Sequence, residues 1–306
     1  MRISKELRNW KNNNLFGSYL WNEWRRIREQ VIYKRKSDED FICELYQKRT
    51  GKTLNLYNPE TFTEKLQWMK IHHKDPLMSI CADKYGVREY VKGKGLECIL
   101  NPLIAIYDSV DEIDYSVLPD KFVLKGTHGS GWIVLCKNKN ELDIKGYNRI
   151  MRSWLKQNIY YSGREWVYND IPHRIVCEEY IDSKGDDLRD FKIFCFGGKP
   201  IYIQVDGDRF SSHKRAYYNL DWEKMPFQYG DYAKDYTADK PENLDEMLKI
   251  AEVLSEPFPF SRIDLYNVEG RIIFGEITFF PDAGFANFDP PETDYEIGKL
   301  FELPKE

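Results

Sequence analysis

Three groups of residues in this 306-residue chain combine types and spacing that could do chemistry. The first is Lys125 followed by Gly126, Thr127, His128, Gly129, Ser130 and Gly131. A strand that ends in lysine and turns through glycines offers an ammonium, backbone N–H groups and hydroxyls to phosphate oxygens. Standing alone, it reads first as an ordinary glycine-rich turn. The second is Arg262-Ile263-Asp264 with Glu276-Ile277-Thr278, the two acids twelve residues apart. Facing carboxylates repel unless a cation lies between them, and hard cations such as Mg²⁺ take carboxylate oxygens together with phosphates. A solvated polar strand face is the bland alternative. The third is Val176-Cys177-Glu178-Glu179-Tyr180-Ile181, a strand end whose backbone could meet the edge of a flat heterocycle held between apolar neighbours.

The elements that must position these groups follow from periodicity. Residues 121–124 and 133–136 read as two strands of a hairpin closed by the glycine-rich turn, which excludes a strand-to-helix phosphate loop. Residues 261–267 and 271–277 read as strands joined across Asn267-Val268-Glu269-Gly270, a pairing that sets 264 roughly opposite 276. Ile263, Leu265, Ile277 and Phe279 alternate with the polar positions and suit the other face. Further strands are expected at 174–177, 191–196 and 200–206, and helices at 15–34, 41–49, 61–71, 144–158 and 243–255. The pattern is α+β and dominated by antiparallel sheet. It lacks the βαβ train of a Rossmann or P-loop core.

Composition narrows the class. With 42% hydrophobic and 31% charged residues the chain is globular, not disordered or fibrous. No apolar run approaches the roughly 20 residues of a spanning helix, and residues 1–5 open no signal-peptide core, so a cytoplasmic protein is expected. The six cysteines lie at least 17 residues apart, which argues for free thiols without disulfides or structural zinc. The net charge of −5 hides an asymmetry: residues 1–36 carry ten Lys/Arg against three Glu. Within them Phe16, Leu20, Trp24, Ile27 and Val31 recur at helical spacing beside Arg25, Arg26 and Arg28. That helix reads first as packed on its own domain, while its basic face would suit peripheral contact with an anionic membrane through residues 15–36. The acidic remainder and the lack of a basic–aromatic motif speak against nucleic acid.

Taken together, Asp83-Lys84, Lys125 to Gly131, Glu178 to Ile181, and Asp264 with Glu276 resemble the ATP-grasp superfamily in type and order. The phrases FTEKLQWMK (62–70), DKYGVREYV (83–91), LPDKFVLKGTHGSG (118–131), IQVDGDRFSSHKRAYYNLDW (203–222) and FPFSRIDLYNVEGRIIFGEITFFPDAGF (258–285) resemble the TupA-like ATP-grasp family in particular, found in bacterial teichuronopeptide and capsular-polysaccharide gene sets. The resemblance implies two α+β subdomains gripping ATP between antiparallel sheets, about 81–180 and 181–306, preceded by a helical region over 1–80. It implies that Lys84, Lys125 and residues Thr127, His128, Gly129, Ser130 and Gly131 hold the ATP phosphates. Glu178, with the backbone of Glu179 and Ile181, would take the adenine, and Asp190 the ribose. Asp264 and Glu276 would coordinate Mg²⁺, with Thr278 standing where many members have asparagine, and Arg262 would steady the transferring phosphoryl group. A basic cluster, Arg209, His213, Lys214 and Arg215, would belong to a lid over phosphates and acceptor. The implied activity is an ATP- and Mg²⁺-dependent carboxylate–amine ligase acting on a uronic or related acid of a surface polysaccharide and an amine. Two other readings stand beside it: a sugar-nucleotide glycosyltransferase using Asp206-Gly207-Asp208, and a non-catalytic scaffold.

Overall fold

A computed structural model of the chain describes residues 14–31, 33–183, 188–207, 214–232 and 236–305. In chain order the helices are α1 (Leu15–Val31), α2 (Asp38–Thr50), α3 (Phe62–His72), α4 (Pro76–Ala82), α5 (Gly86–Gly93), α6 (Ile144–Trp154), α7 (Tyr160–Gly163), α8 (Leu244–Ser255) and α9 (Glu292–Leu300). The strands are β1 (Leu103–Tyr107), β2 (Phe122–Gly126), β3 (Ile133–Cys136), β4 (Ile175–Glu179), β5 (Asp190–Phe196), β6 (Lys199–Gly207), β7 (Lys214–Asn219), β8 (Gln228–Tyr229), β9 (Phe260–Val268), β10 (Arg271–Thr278) and β11 (Phe288–Asp289). Over the described residues the chain forms two compact units. The first takes Met1–Ser37, Asp83–Tyr85 and Asn101–Ile181, the second Asp38–Ala82, Gly86–Leu100 and Asp182–Glu306.

In the first unit a four-stranded antiparallel sheet runs in the order β1-β4-β2-β3. Its core joins Phe122, Leu124, Trp132, Ile175 and Cys177 to Met151 and Trp154 of α6. Asp143 starts α6 by accepting a hydrogen bond from the Gly146 N–H, which satisfies one of the donors a helix start leaves unpaired. Helix α1 packs along α6, placing Leu15 and Tyr19 against this core and donating from Asn22 Nδ2 to Ser153 Oγ at 3.0 Å. The face turned inward is therefore not the one its apolar spacing marks. Phe16, Leu20, Trp24 and Ile27 are 52%, 44%, 42% and 54% exposed.

In the second unit five antiparallel strands run in the order β10-β9-β5-β6-β7. Alternation sorts their side chains by face. On one face Phe191, Ile193, Val205, Ile203, Ile263 and Leu265 are buried where α8 lies on the sheet. The other face is divided along its length. At one end Phe194, Phe196, Tyr202 and Phe260 form an aromatic cluster, with Phe62 of α3 inserted at 5.1 Å from the Phe260 ring. At the other end the same alternation lines up Asp190, Lys192, Gln204, Asp206, Arg215, Arg262 and Asp264, all buried. The capping box of α3, in which Thr61 accepts from Glu64 N–H and Glu64 from Thr61 N–H, fixes where Phe62 enters. Along α3, Gln67 Nε2 donates to the carbonyls of Ala283 and Gly284, and Lys70 Nζ to that of Ala283. Those bonds hold a turn in which Asp282 and Ala283 both adopt left-handed backbone, directly after β10. The phrases at 62–70 and 279–285 are thus two sides of one structural contact.

The expected elements form, with shifts of a few residues at their ends, and the glycine-rich turn joins an antiparallel hairpin. Without an individual assignment in the sequence were helices α4, α5, α7 and α9 and strands β1, β7, β8 and β11. Lys214 and Arg215 open strand β7, and Arg215 is buried; Arg209 and His213 lie outside the described residues.

Candidate functional site

The first unit brings together the lysines and the glycine-rich turn. Lys84 Nζ donates to the Gly129 carbonyl at 2.7 Å, and its backbone N–H to Thr127 O. Lys125 sits half-buried on β2 with Nζ 2.6 Å from Glu178 Oε2 on β4, so the lysine and the acid assigned to the adenine form one ion pair. Glu179 N–H donates to Pro102 O and its carbonyl accepts from Asn101 Nδ2 at 2.7 Å, which leaves that carbonyl one further lone pair. Ile181 is the last residue of this unit.

The turn itself is built on Trp132. A Cβ added at Gly129 would stand 2.7 Å from the indole and one at Gly126 3.0 Å, so both glycines are required by packing, whereas Gly131 is required by its φ of +73°. Thr127 and His128 are fully buried, while Ser130 and Gly131 are exposed. The Thr127 hydroxyl donates to Pro172 O and accepts from Arg174 N–H. His128 Nε2 donates to Trp154 O at 3.0 Å, its ring is stacked on His173 at 3.8 Å, and Nδ1 has no hydrogen-bond partner among the described residues. Burial and the neighbouring His173 ring push its pKa down to about 3, so it is a neutral imidazole. The side chains of Thr127 and His128, assigned from sequence to a bound phosphate, serve here to anchor the turn.

The second unit brings together the carboxylates. The two-residue turn Glu269-Gly270 sets a register that pairs Phe274 with Leu265, and continuing it would place Gly275 opposite Asp264. A bulge at Gly275 shifts the pairing by one, so that Glu276 faces Asp264, Ile277 faces Ile263 and Thr278 faces Arg262. Without that extra residue Glu276 would point to the opposite side of the sheet. A side chain at 275 has no room, since a Cβ would lie 2.8 Å from the Asp264 carbonyl oxygen.

Asp264 is clasped by two cations. Arg262 donates from Nε and Nη2 to its two oxygens at 2.7 Å each, and Lys192 Nζ lies 2.5 Å from Oδ2. Lys192 also lies 2.5 Å from Asp190 Oδ2, bridging the acid assigned to ribose and the acid assigned to metal. Arg262 Nη2 further reaches Thr278 Oγ1 at 3.1 Å and stands 3.9 Å from Glu276, which is 37% exposed. Burial works against both cations, but the carboxylates more than offset it: Asp190 and Asp264 raise Lys192, and Asp264 raises Arg262, above their ordinary ranges. Asp190, Lys192, Arg262, Asp264 and Glu276 together carry one net negative charge. This donor set suits Mg²⁺ held through one or two carboxylates beside phosphate, Glu276 being the accessible one. No three His, Cys, Asp or Glu side chains converge as a metal site among the described residues.

Sequence reasoning missed Lys192. Its signal was Asp190-x-Lys192 on a strand whose alternate residues are apolar, which puts both charges on the buried polar face. Asp206, the candidate sugar-nucleotide metal ligand, has both oxygens engaged by Arg215 and Gln204. Asp208 lies outside the described residues.

Antiparallel α+β units, one carrying two lysines at a glycine-rich hairpin and the other an Arg-x-Asp strand opposite a glutamate, define an ATP-grasp, ligase-like protein. The chain belongs to the TupA-like ATP-grasp family, whose profile matches residues 64–302. Among solved structures it is similar to D-alanine–D-alanine ligase from Bacillus anthracis complexed with ATP, at 15% identity and a TM-score of 0.42 over 74% of this chain and 66% of that one. It is also similar to L-amino acid ligase from Bacillus licheniformis, at 12% identity and a TM-score of 0.45 over 81% and 57%. A third is the ATP-grasp ligase PsnB complexed with a precursor variant, Mg and ADP, at 10% identity and a TM-score of 0.42 over 78% and 64%. This chain thus spans about two thirds or less of the length of these ligases. No curated protein sequence matches it.

Proposed function

We propose that the protein is an ATP-dependent carboxylate–amine ligase whose acceptor is a uronic or related acid of a bacterial surface polysaccharide or its precursor. The observation that carries the reading is the bulged hairpin, which spends a glycine to put Glu276 beside Asp264 and Arg262 on a buried charged face. The acceptor class rests on family membership. In this reading the acceptor carboxylate attacks the γ-phosphorus of ATP, ADP leaves, and an acyl phosphate forms. The amine nitrogen then attacks the acyl carbon, phosphate departs, the nitrogen loses a proton, and an amide remains.

The chain's own groups divide the work. Lys84, Lys125 and the backbone of the 127–131 turn would bind phosphate oxygens, and the exposed Ser130 would add a hydroxyl. Glu178 and the backbone of Glu179 and Ile181 would take the adenine, and Asp190 the ribose. Mg²⁺, held by Asp264 and Glu276 with Thr278 beside them, would neutralise the charge on the phosphates. Arg262 is preorganised by its fork on Asp264, so its cation is in place before charge develops on the transferring group. Lys192 keeps Asp190 and Asp264 at one cation's distance. Lys214 would meet the acceptor.

An acyl phosphate is trapped by hydroxylamine. With ATP, Mg²⁺ and an acceptor acid, hydroxamate should accumulate in step with ADP. ADP release without hydroxamate from any accepted acid would remove the acyl-phosphate route.

A further inference from the structure

Helix α1 has two apolar sides, and its own unit uses one of them. Leu15, Tyr19 and Asn22 face α6, while Phe16, Leu20, Trp24 and Ile27, spaced four, four and three residues apart, form a continuous ridge between 42% and 54% exposed. The other exposed large apolar residues among those described are scattered along both units, from Tyr57 to Leu300. A ridge of four such side chains on one helix face is a surface that meets something. It lies outside the segment matched by the family.

Charge indicates what. Residues 1–36 carry a net +7, leaving −12 on the rest of the chain. Both glutamates of the helix are neutralised within it, Glu29 by Arg25 at 2.8 Å and Glu23 by Arg26 at 2.8 Å. Arg28 stacks over Trp24 at 4.8 Å, flanking the ridge, and Lys34 and Arg35 are exposed just beyond the helix end. Over the described residues 14–36 six Lys/Arg stand against two Glu, so two copies apposed through this face would bring +4 against +4, which disfavours a homodimer. A convex ridge with a tryptophan at its middle and basic residues at its flank and end matches a helix lying in the interface of an anionic bilayer.

We infer that α1 docks the protein on an anionic lipid surface, with Phe16, Leu20, Trp24 and Ile27 entering the headgroup boundary and the basic residues meeting lipid phosphates. The reading is independent of the ligase proposal, and its test reads no catalysis. The full chain is floated with vesicles of phosphatidylcholine alone or with about 30 mol% phosphatidylglycerol. Binding is expected to the anionic vesicles, at least about tenfold weaker to the neutral ones, and lost in about 0.5 M salt, where charge is screened within a few ångströms. Each of Arg28→Glu, Lys34→Glu and Arg35→Glu should weaken it about fivefold or more. Leu20→Glu with Trp24→Glu should abolish it in protein that circular dichroism shows to be folded at the assay temperature, since both side chains are more than 40% exposed. Failure of the wild type to bind anionic vesicles overturns the inference, as does equal binding by the ridge variant. It is equally overturned if the ridge variant dissociates a dimer or a complex with an acidic protein while vesicle binding persists.

Discussion

Lys192 shows how much one residue changes the meaning of its neighbours. From sequence, Asp264 and Glu276 form a pair awaiting a cation, and Asp190 stands apart. In the folded sheet Lys192 already supplies a cation to Asp264 and binds Asp190 as well, so removing the Asp264 charge would strand two buried cations. The sequence shows which residues alternate onto a face, but it does not show which strands lie side by side, and the pairing of β5 with β9 is what joins 192 to 264. His128 carries a second lesson at this scale. Its pKa falls from 6.5 to about 3 on folding, so the unfolded chain takes up a proton below pH 6.5 that the folded one refuses. Stability from this group is complete above pH 6.5 and is lost as pH falls toward 3. Between pH 6.5 and 5 the loss should be about 2 kcal/mol, at roughly 1.4 kcal/mol per pH unit. Denaturant midpoints for the wild type and His128→Phe should show that slope in the first and little of it in the second. An unchanged slope in the variant would mean that the imidazole titrates elsewhere in its range.

At the scale of elements, the strands with clean alternation or a turn signal were legible, including both hairpins that carry site residues. The missed elements lacked those signals. Strand β1 is a run of five half-buried apolar residues without alternation, and β7 begins in a basic cluster that reads as loop until Arg215 is seen buried against Asp206. Helix α9 follows Pro290 and Pro291, a punctuation that also suits an extended tail. The bulge at Gly275 was invisible because the expected facing of 264 and 276 needs no bulge if the turn is assumed one residue longer. It nevertheless decides which face Glu276 occupies. Gly275→Ala should therefore destabilise by about 1–3 kcal/mol through the clash with the Asp264 carbonyl. It should also lower ADP formation per folded molecule, because relief of the clash shifts Glu276. Thermal melts beside single-turnover kinetics check both, and a variant that loses stability alone would show that the bulge matters only to packing.

At the scale of the whole molecule, the chain passes repeatedly between its two units, and each unit gathers one set of the residues singled out in the sequence: two lysines and a glycine-rich turn in the first, an Arg-Asp-Glu sheet face in the second. The family likeness was legible because its phrases combine the site with the scaffold that holds it, as the contact of 62–70 with 279–285 shows. The exposed ridge of α1 was legible as a stripe, but not as the side its own unit leaves exposed, since periodicity alone does not tell which of two apolar sides is covered. In the proposed reaction Glu276 and Asp264 serve metal-dependent turnover of ATP. Glu276 is the residue on which to test it, because its side chain is 37% exposed, whereas Asp264 is buried between Lys192 and Arg262. The measurement is Mg²⁺-dependent ADP release with a panel of uronic acids and amines, for wild type and Glu276→Gln at matched melting temperature. ADP is expected from the wild type only with an accepted acid, and at least about a hundredfold less from the variant; ADP release by Glu276→Gln at the wild-type rate would rule out a metal-holding role for these carboxylates.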